Sequence, residues 1–244
     1  LICNFFNMKY FYALVFIFPS FFYTQILEHY PKGQTDYVGG NVQFYKDFHQ
    51  VLKDKKLQPC ENKNEAFSFR IVVYPDKKIK YVKSEDSESL EKNKCAFELT
   101  KEVAKYLTGW NPAIVDGNKV AAVTSFWIIP HELFQELPQG YDPINDMEMA
   151  TYEGGINNFR KKVFQSIDLS RFTFTGTFRL EVTFIVETDG KMSDVQLAQS
   201  TGLKAFDDMV IKSISQIRNK WTPGNIHGIP VRYHFRLPLA FTMD

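Results

Sequence analysis

Residues 180–195 read LEVTFIVETDGKMSDV, and this stretch decides the fold of the C-terminal half of the chain. Every second residue in 180–186 is apolar, which is the period of a strand with one buried face. Asp189-Gly190 follows, and this dipeptide supplies the positive φ angles that a two-residue hairpin loop requires. The stretch therefore predicts an antiparallel hairpin with its return strand over residues 193–200.

Two amphipathic helices flank this hairpin, and a final strand follows them. The first helix opens at Gly154-Gly155 and carries apolar residues at every fourth position, namely Phe159, Val163 and Ile167. The second helix follows Gly202 and has the apolar stripe Phe206, Met209, Val210, Ile214 and Ile217. The final strand alternates apolar and charged residues over 231–237. This order predicts an α+β fold of two layers, in which both helices cover one face of a three-stranded antiparallel sheet.

The whole pattern occurs twice. Tyr37-Val38-Gly39-Gly40 returns as Tyr152-Glu153-Gly154-Gly155, and Trp110-Asn111-Pro112 returns as Trp221-Thr222-Pro223. The matches keep their order at a spacing of about 110 to 115 residues, as expected for an internal repeat. We therefore predict two tandem domains with the following organisation: an upstream extension and signal peptide (1–25), a degenerate first domain (30–130), a linker (131–150) and a second domain (151–244).

The first copy departs from the second at two places. Its hairpin turn, Pro75-Asp76-Lys77-Lys78, has no glycine, so we expect a longer or differently shaped hairpin. Its last strand, residues 120–129, places apolar side chains on the face that should meet solvent, namely Ala121, Val123, Trp127 and Ile129. Such a face packs against another part of the chain or binds a partner, and the sequence leaves both alternatives open.

The charge balance excludes one class of function. The chain has 244 residues with 29 Lys and Arg against 28 Asp and Glu, a formal net charge of +1. A protein that neutralises several phosphates needs a clear basic surplus, so we expect no nucleic-acid partner. The hydrophobic fraction of 44% is close to the globular average and predicts buried cores.

The N-terminal region resembles a targeting segment. Met8-Lys9 precedes an uncharged, mostly apolar run over residues 11–23. One positive charge followed by about a dozen apolar residues is typical of a secretory signal, whereas a membrane-spanning helix needs roughly 20. We therefore expect export of the mature chain. An uncleaved anchor is the alternative, and membrane contact is expected only in that case.

The mature chain retains two cysteines, Cys60 and Cys95. An even pair in an oxidising compartment is a disulfide candidate, and a bond would close a loop of about 35 residues. Two buried free thiols are the alternative. No histidine or further cysteine lies at ligand spacing beside either residue, so we expect no metal site.

We find no sequence motif of an enzyme. The five histidines are scattered, and His131-Glu132 begins a zinc-protease motif that the following residues do not complete. Gly-x-Ser-x-Gly and phosphate-loop motifs are absent from the sequence. We therefore predict no catalytic residues and no cofactor.

An ordered set of short motifs in the second copy points to a known family. The set consists of Gly190-Lys191-Met192-Ser193-Asp194-Val195, Ser200-Thr201-Gly202, Trp221-Thr222-Pro223-Gly224, Gly228-Ile229-Pro230-Val231 and Leu237-Pro238-Leu239-Ala240-Phe241. Residues 152–241 resemble the TonB C-terminal domain family on this basis, and residues 37–129 resemble a degenerate copy of it. No single motif is specific to the family, whereas the ordered set is.

The resemblance implies a periplasmic module of a Gram-negative cell envelope. Proteins of this family couple inner-membrane energy to outer-membrane transporters and bind a short transporter peptide by adding it to their sheet as a strand. For this chain the resemblance implies a protein partner and a docking strand that contains Val231, Arg232, Tyr233, His234, Phe235, Arg236 and Leu237. An ordinary solvated strand face is the alternative for the charged residues among them.

Two departures from the family pattern bear on the function. The apolar run lacks the histidine of the family's anchor, and only about 12 residues, reaching about 40 Å, separate Gln25 from Tyr37. We therefore expect a periplasmic module that binds an outer-membrane transporter or another envelope protein, without an ordinary transducer's role. The alternatives are a soluble scaffold or homodimer whose sheet edges pair, and a protein anchored in the inner membrane that faces the periplasm.

Overall fold

The computed structural model describes residues 26–82, 87–172, 176–218 and 220–243. They contain the helices α1 (Gly40–Asp54), α2 (Ser87–Lys92), α3 (Lys94–Ala104), α4 (Pro130–Leu133), α5 (Gly155–Ser166) and α6 (Lys204–Ser215), and the 3₁₀ helix Pro143–Asp146. None of these helices combines the length and hydrophobicity needed to cross a bilayer. The apolar run that we interpret as a signal peptide lies outside the described residues.

Within the described residues, the strands form two main antiparallel sheets and three smaller ones. The strands are β1 (Phe67–Val73), β2 (Ile79–Tyr81), β3 (Ala113–Val115), β4 (Asn118–Val120), β5 (Ala122–Ile128), β6 (Met147–Glu148), β7 (Thr151–Tyr152), β8 (Gly176–Val186), β9 (Met192–Leu197), β10 (Trp221–Thr222), β11 (Gly224–Ile226), β12 (Ile229–Val231) and β13 (Tyr233–Met243). The main sheets have the orders β2-β1-β5 and β13-β8-β9. The smaller sheets have the orders β3-β4, β10-β7 and β12-β11-β6. The predicted α+β class is confirmed.

The C-terminal unit extends from β7 to β13 and is built around β8, the central strand of its main sheet. The alternating residues Leu180, Val182, Phe184 and Val186 are buried, as their period indicated. They share one hydrophobic core with Phe159 and Val163 of α5 and with Phe206, Val210 and Ile214 of α6. Both helices therefore cover the same face of the sheet.

The N-terminal unit extends from α1 to β5 and has the same order of main elements. Its first helix, α1, corresponds to α5, and its strands β1 and β2 correspond to β8 and β9. Helix α3 corresponds to α6, the hairpin β3–β4 to β11–β12, and the final strand β5 to β13. In each unit a tyrosine before the first helix meets a tryptophan after the second. The rings of Tyr37 and Trp110 lie 5.1 Å apart, and those of Tyr152 and Trp221 also lie 5.1 Å apart. The order of elements and this ring contact thus occur in both units.

The two main hairpins have the same turn, so the expectation of a different hairpin in the first unit is wrong. Gly190 N donates to Glu187 O in the second unit, and Lys77 N donates to Tyr74 O in the first, both at 2.9 Å. Of Asp189-Gly190, only the glycine has a positive φ, at 78°. Lys77 takes the same left-handed position with a φ of 65°. A lysine therefore occupies a backbone position that favours glycine.

Residues 131–150, the segment predicted as a linker, contain the last three residues of α4, the 3₁₀ helix and β6. Leu133 and Tyr141 are buried in the core of the N-terminal unit. β6 pairs with β11 of the C-terminal unit, with Met147 opposite Ile226. The segment is thus packed against both units.

A disulfide joins Cys60 to Cys95, with 5.8 Å between their Cα atoms. Cys60 precedes β1, and Cys95 lies in the first turn of α3. The buried carboxylate of Glu65 accepts a hydrogen bond of 2.7 Å from the backbone N–H of Ala96 in the same turn. The bond and this contact together fix the start of α3 against the chain that leads into β1.

Candidate functional site

The predicted docking strand corresponds to β13, which lies at one edge of its sheet. β13 is 11 residues long and pairs with β8 in continuous antiparallel register, from Tyr233 opposite Val186 to Met243 opposite Gly176. No other strand of the described ranges pairs with β13. Its second side therefore presents main-chain donors and acceptors that the sheet itself does not use.

Three of the predicted docking residues have side chains in the core. Leu237 is fully buried, and Tyr233 and Phe235 pack against the same core. The Phe235 ring is stacked on Phe184 with 5.2 Å between centroids, and its centroid lies 4.9 Å from that of Trp221. These side chains hold β13 on the sheet. A partner on this strand would therefore meet mainly its backbone and the side chains of the opposite face.

His234 and Arg236 lie on that opposite face. Arg236 NH1 donates to Glu181 Oε1 at 2.8 Å across the sheet, and both side chains are substantially exposed. The pKa of His234 is lowered, mainly because the imidazole loses hydration and also because Arg232 and Arg70 place positive charges near it. Arg70 belongs to β1 of the N-terminal unit.

Arg232 anchors the start of β13. Its Nε donates to Glu187 Oε2 at 2.7 Å and its NH2 donates to Glu187 Oε1 at 2.9 Å, a bidentate ion pair. Ser193 also donates to this carboxylate. Burial would raise the pKa of Glu187, but the hydrogen bonds from Arg232 and Ser193 outweigh it and hold the pKa below its usual value. The sequence placed Arg232 among the predicted docking residues but did not indicate its partner, because nothing in the strand pattern distinguishes Glu187 from other polar positions.

Val231 lies outside the edge strand. We expected one strand through Val231, but β12 ends there and β13 begins at Tyr233. Val231 pairs with Gly224 in the hairpin β11–β12, and its side chain is 2% exposed. The break occurs because Val231 packs toward the first unit while Tyr233 packs into the second core.

The small core around Val231 joins the two units. Ala66 and Ile129 of the N-terminal unit are buried together with Ile226 and Val231 of the C-terminal unit. Trp127 packs against this cluster, as do Met147 and Ile229. Of the two alternatives for the apolar face of β5, Trp127 and Ile129 therefore follow the first, since they pack against another part of the chain.

Comparison with known proteins gives a family match for most of the C-terminal unit. The family model described as Gram-negative bacterial TonB protein C-terminal matches residues 177–243, which extend from β8 to the end of β13. The solution NMR structure of the Helicobacter pylori TonB C-terminal domain is similar at 18% identity, covering 38% of this chain and 89% of that chain with a TM-score of 0.23. Comparison with curated proteins gives no match. On the family-model match alone, the segment from β8 to β13 resembles the TonB C-terminal domain family.

Proposed function

We propose that the C-terminal unit is a protein-binding module of the periplasm that takes up an extended segment of an outer-membrane transporter, or of another envelope protein, along the outer edge of β13. TonB C-terminal domains bind outer-membrane proteins and have no enzymatic activity, which supports a binding role in transport. The observation that carries the proposal is the 11-residue edge strand that pairs only with β8 among the described strands. Strand addition uses such an edge, because main-chain hydrogen bonds provide the affinity.

The register of the repeat indicates which groups of β13 face the partner. In the first unit, Ala121 O and Val123 N point away from β1, since both bond to Leu27. Ala122 lies opposite Val73 in the first sheet, and Tyr233 lies opposite Val186 at the equivalent position of the second sheet. Because main-chain direction alternates along a strand, we expect His234 and Arg236 to present their N–H and C=O groups to a partner.

Pro238 supports this assignment. It belongs to the same alternating set as His234 and Arg236, and it has no N–H to donate. If its nitrogen points to the outer edge, Pro238 removes no hydrogen bond between β13 and β8. Proline is tolerated in a sheet at such edge positions.

A binding assay with two variants of one residue tests the proposal. N-terminal peptides of outer-membrane transporters are immobilised, and the full chain is titrated over them. Arg236→Pro removes an outward N–H, so we expect affinity to fall about tenfold or more, as for the loss of a hydrogen bond of about 1.4 kcal/mol. Arg236→Ala removes the same charge and keeps the N–H, so its affinity should stay within about twofold. Equal affinity of the proline variant and the parent would rule out strand addition at β13.

The same edge supports a second candidate function, a homodimer in which two β13 strands pair. Light scattering on the full chain at micromolar concentration separates the two functions. A stable dimer that binds no transporter peptide and that Arg236→Pro converts to a monomer favours the scaffold. A monomer that binds peptide favours the docking module.

A further inference from the structure

The N-terminal unit has an edge strand of its own, and the chain already covers it. Leu27 forms a parallel bridge with Ala122 at the outer edge of β5. Leu27 N donates to Ala121 O at 2.9 Å, and Val123 N donates to Leu27 O at 2.8 Å. These are the hydrogen bonds of an added strand.

Side-chain contacts hold the segment that carries Leu27 against the unit. Tyr30 donates from its hydroxyl to Asn111 O at 2.7 Å. The Gln34 amide bonds both main-chain groups of Ile114, at 2.7 Å to the oxygen and 2.8 Å to the nitrogen, in the manner of a paired strand residue. Thr124 of β5 donates to Asp36. Residues 26–36 therefore form one strap, anchored at four points and called here the N-terminal strap.

The edge beneath the strap corresponds to the outer edge of β13. Phe126 lies opposite Phe69 in the first sheet, and Leu237 lies opposite Val182 at the same position of the second. The final strand of each unit follows a β-hairpin and pairs with the central strand. The two edges are thus equivalent in the repeat, yet only the first carries an added segment in the described residues.

A second contact closes the first edge further along. Tyr45 of α1 donates from its hydroxyl to Trp127 O at 2.9 Å. Trp127 O belongs to the same outward set as Ala121 O, because alternate residues of a strand point the same way. Arg160 takes the place of Tyr45 in α5, and its NH1 donates to Asn157 instead. The first edge is therefore occupied at three main-chain groups by the chain itself.

We propose that β5 is a second strand-binding edge of this protein and that the N-terminal strap is its resident ligand in cis. The site accepts an extended peptide parallel to β5, with an aliphatic residue opposite Ala122 and a phenolic hydroxyl three residues later. While the strap is bound, the site is closed to other chains. The two units then have different roles, since only the C-terminal edge is available without displacement.

The probe for this site is a fluorescent peptide of residues 26–36, ILEHYPKGQTD, added to the full chain. The strap-weakened variant carries Leu27→Pro, Tyr30→Phe and Gln34→Ala, which remove the Leu27 N–H donor and two anchoring contacts. A strap bound in cis lowers the fraction of molecules whose β5 edge is free to bind the peptide. The weakened variant should therefore bind the peptide at least about tenfold more tightly than the parent chain. Equal affinity of the two proteins overturns the proposal.

Two further variants assign the binding to one edge. Val123→Pro removes an N–H that bonds the strap and makes no bond to β1, so the weakened variant should lose peptide binding when it also carries Val123→Pro. Arg236→Pro alters β13 and should leave binding of this peptide unchanged. If Val123→Pro has no effect or Arg236→Pro abolishes binding, the peptide binds elsewhere and the proposal fails. The result is independent of transporter peptides, so it does not depend on the proposed function.

Amide hydrogen exchange tests the strap in the parent chain before any substitution is made. In the parent chain the Val123 amide should exchange slowly, because it is bonded to Leu27 O. In the weakened variant it should exchange at least about tenfold faster, and saturating peptide should restore the slow rate. Fast exchange of this amide in the parent chain overturns the proposal.

Discussion

His227 Nδ1 lies 2.7 Å from Glu132 Oε1, and its Nε2 lies 3.1 Å from Asp146 Oδ2. His227 occupies the turn between β11 and β12, whereas Glu132 belongs to α4. Partial burial disfavours the charged ring, but the two carboxylates outweigh this effect and raise the pKa of His227 above 6.5. Tyr141 donates to the second oxygen of Glu132 and holds that carboxylate in place. His227 thus bridges the C-terminal unit and the segment that follows β5.

We expect this bridge to weaken as the pH rises. Because the pKa of His227 is higher in the folded state, the bridge contributes fully below about pH 6.5 and is lost as the pH rises through the folded-state pKa. His227→Asn removes the charge and suits the turn, since asparagine tolerates the φ of 51° found there. Chemical denaturation between about pH 5 and 9 should show a loss of about 1 to 2 kcal/mol in the parent chain and a smaller loss in the variant.

Asp116 offers a matched control for this experiment. It occupies the corresponding turn of the first unit with a φ of 50° and is followed by Gly117, as His227 is followed by Gly228. Asp116→Asn changes the same turn position in the other copy, so it should preserve the pH dependence. If His227→Asn keeps the full pH dependence of the parent, the bridge does not contribute to stability.

A second prediction concerns the two equivalent hairpin turns. Lys77→Gly should stabilise the chain by about 0.5 to 1 kcal/mol. Glycine removes the steric strain of a left-handed residue, and this gain exceeds the larger conformational entropy that glycine adds to the unfolded chain. Gly190→Ala should destabilise it by about 2 kcal/mol or more. The added Cβ would lie 2.3 Å from Trp221 O, in addition to the positive φ of 78°. Urea midpoints of the two variants check both signs, and a stabilising Gly190→Ala would contradict the turn geometry.

The main sheets were predictable from the sequence because strands with one buried face have a period of two, as residues 180–186 show. The order of elements was predictable because the pattern occurs twice. The N-terminal strap was not, since Leu27 bonds β5 through its backbone and leaves no side-chain period. The break at Arg232 was also missed. It depends on the packing of Val231 against Ile129 of the other unit, which no local pattern encodes.

A third prediction concerns the ion pair at the start of β13. The side chains of Arg232 and Glu187 are 24% and 26% exposed, whereas those of Lys204 and Asp208 are 86% and 60% exposed. A double-mutant cycle with Arg232→Met and Glu187→Gln should give a coupling of about 1 to 2 kcal/mol, because the pair is bidentate and partly shielded from water. The same cycle on Lys204 and Asp208 should give at most about 0.5 kcal/mol. Equal couplings would mean that Arg232 does not anchor the strand.

The fourth prediction concerns the disulfide. Cys60 and Cys95 are 35 residues apart in the chain, so removing the bond should cost about 3 to 4 kcal/mol through the entropy of loop closure. The loss should fall first on the N-terminal unit, because the bond lies in its core. Calorimetry of Cys60→Ser/Cys95→Ser should therefore show an early transition that reductant does not shift, while reductant should shift the same transition of the parent chain. A double variant that melts with the parent in one transition would show that the bond does not stabilise the unit.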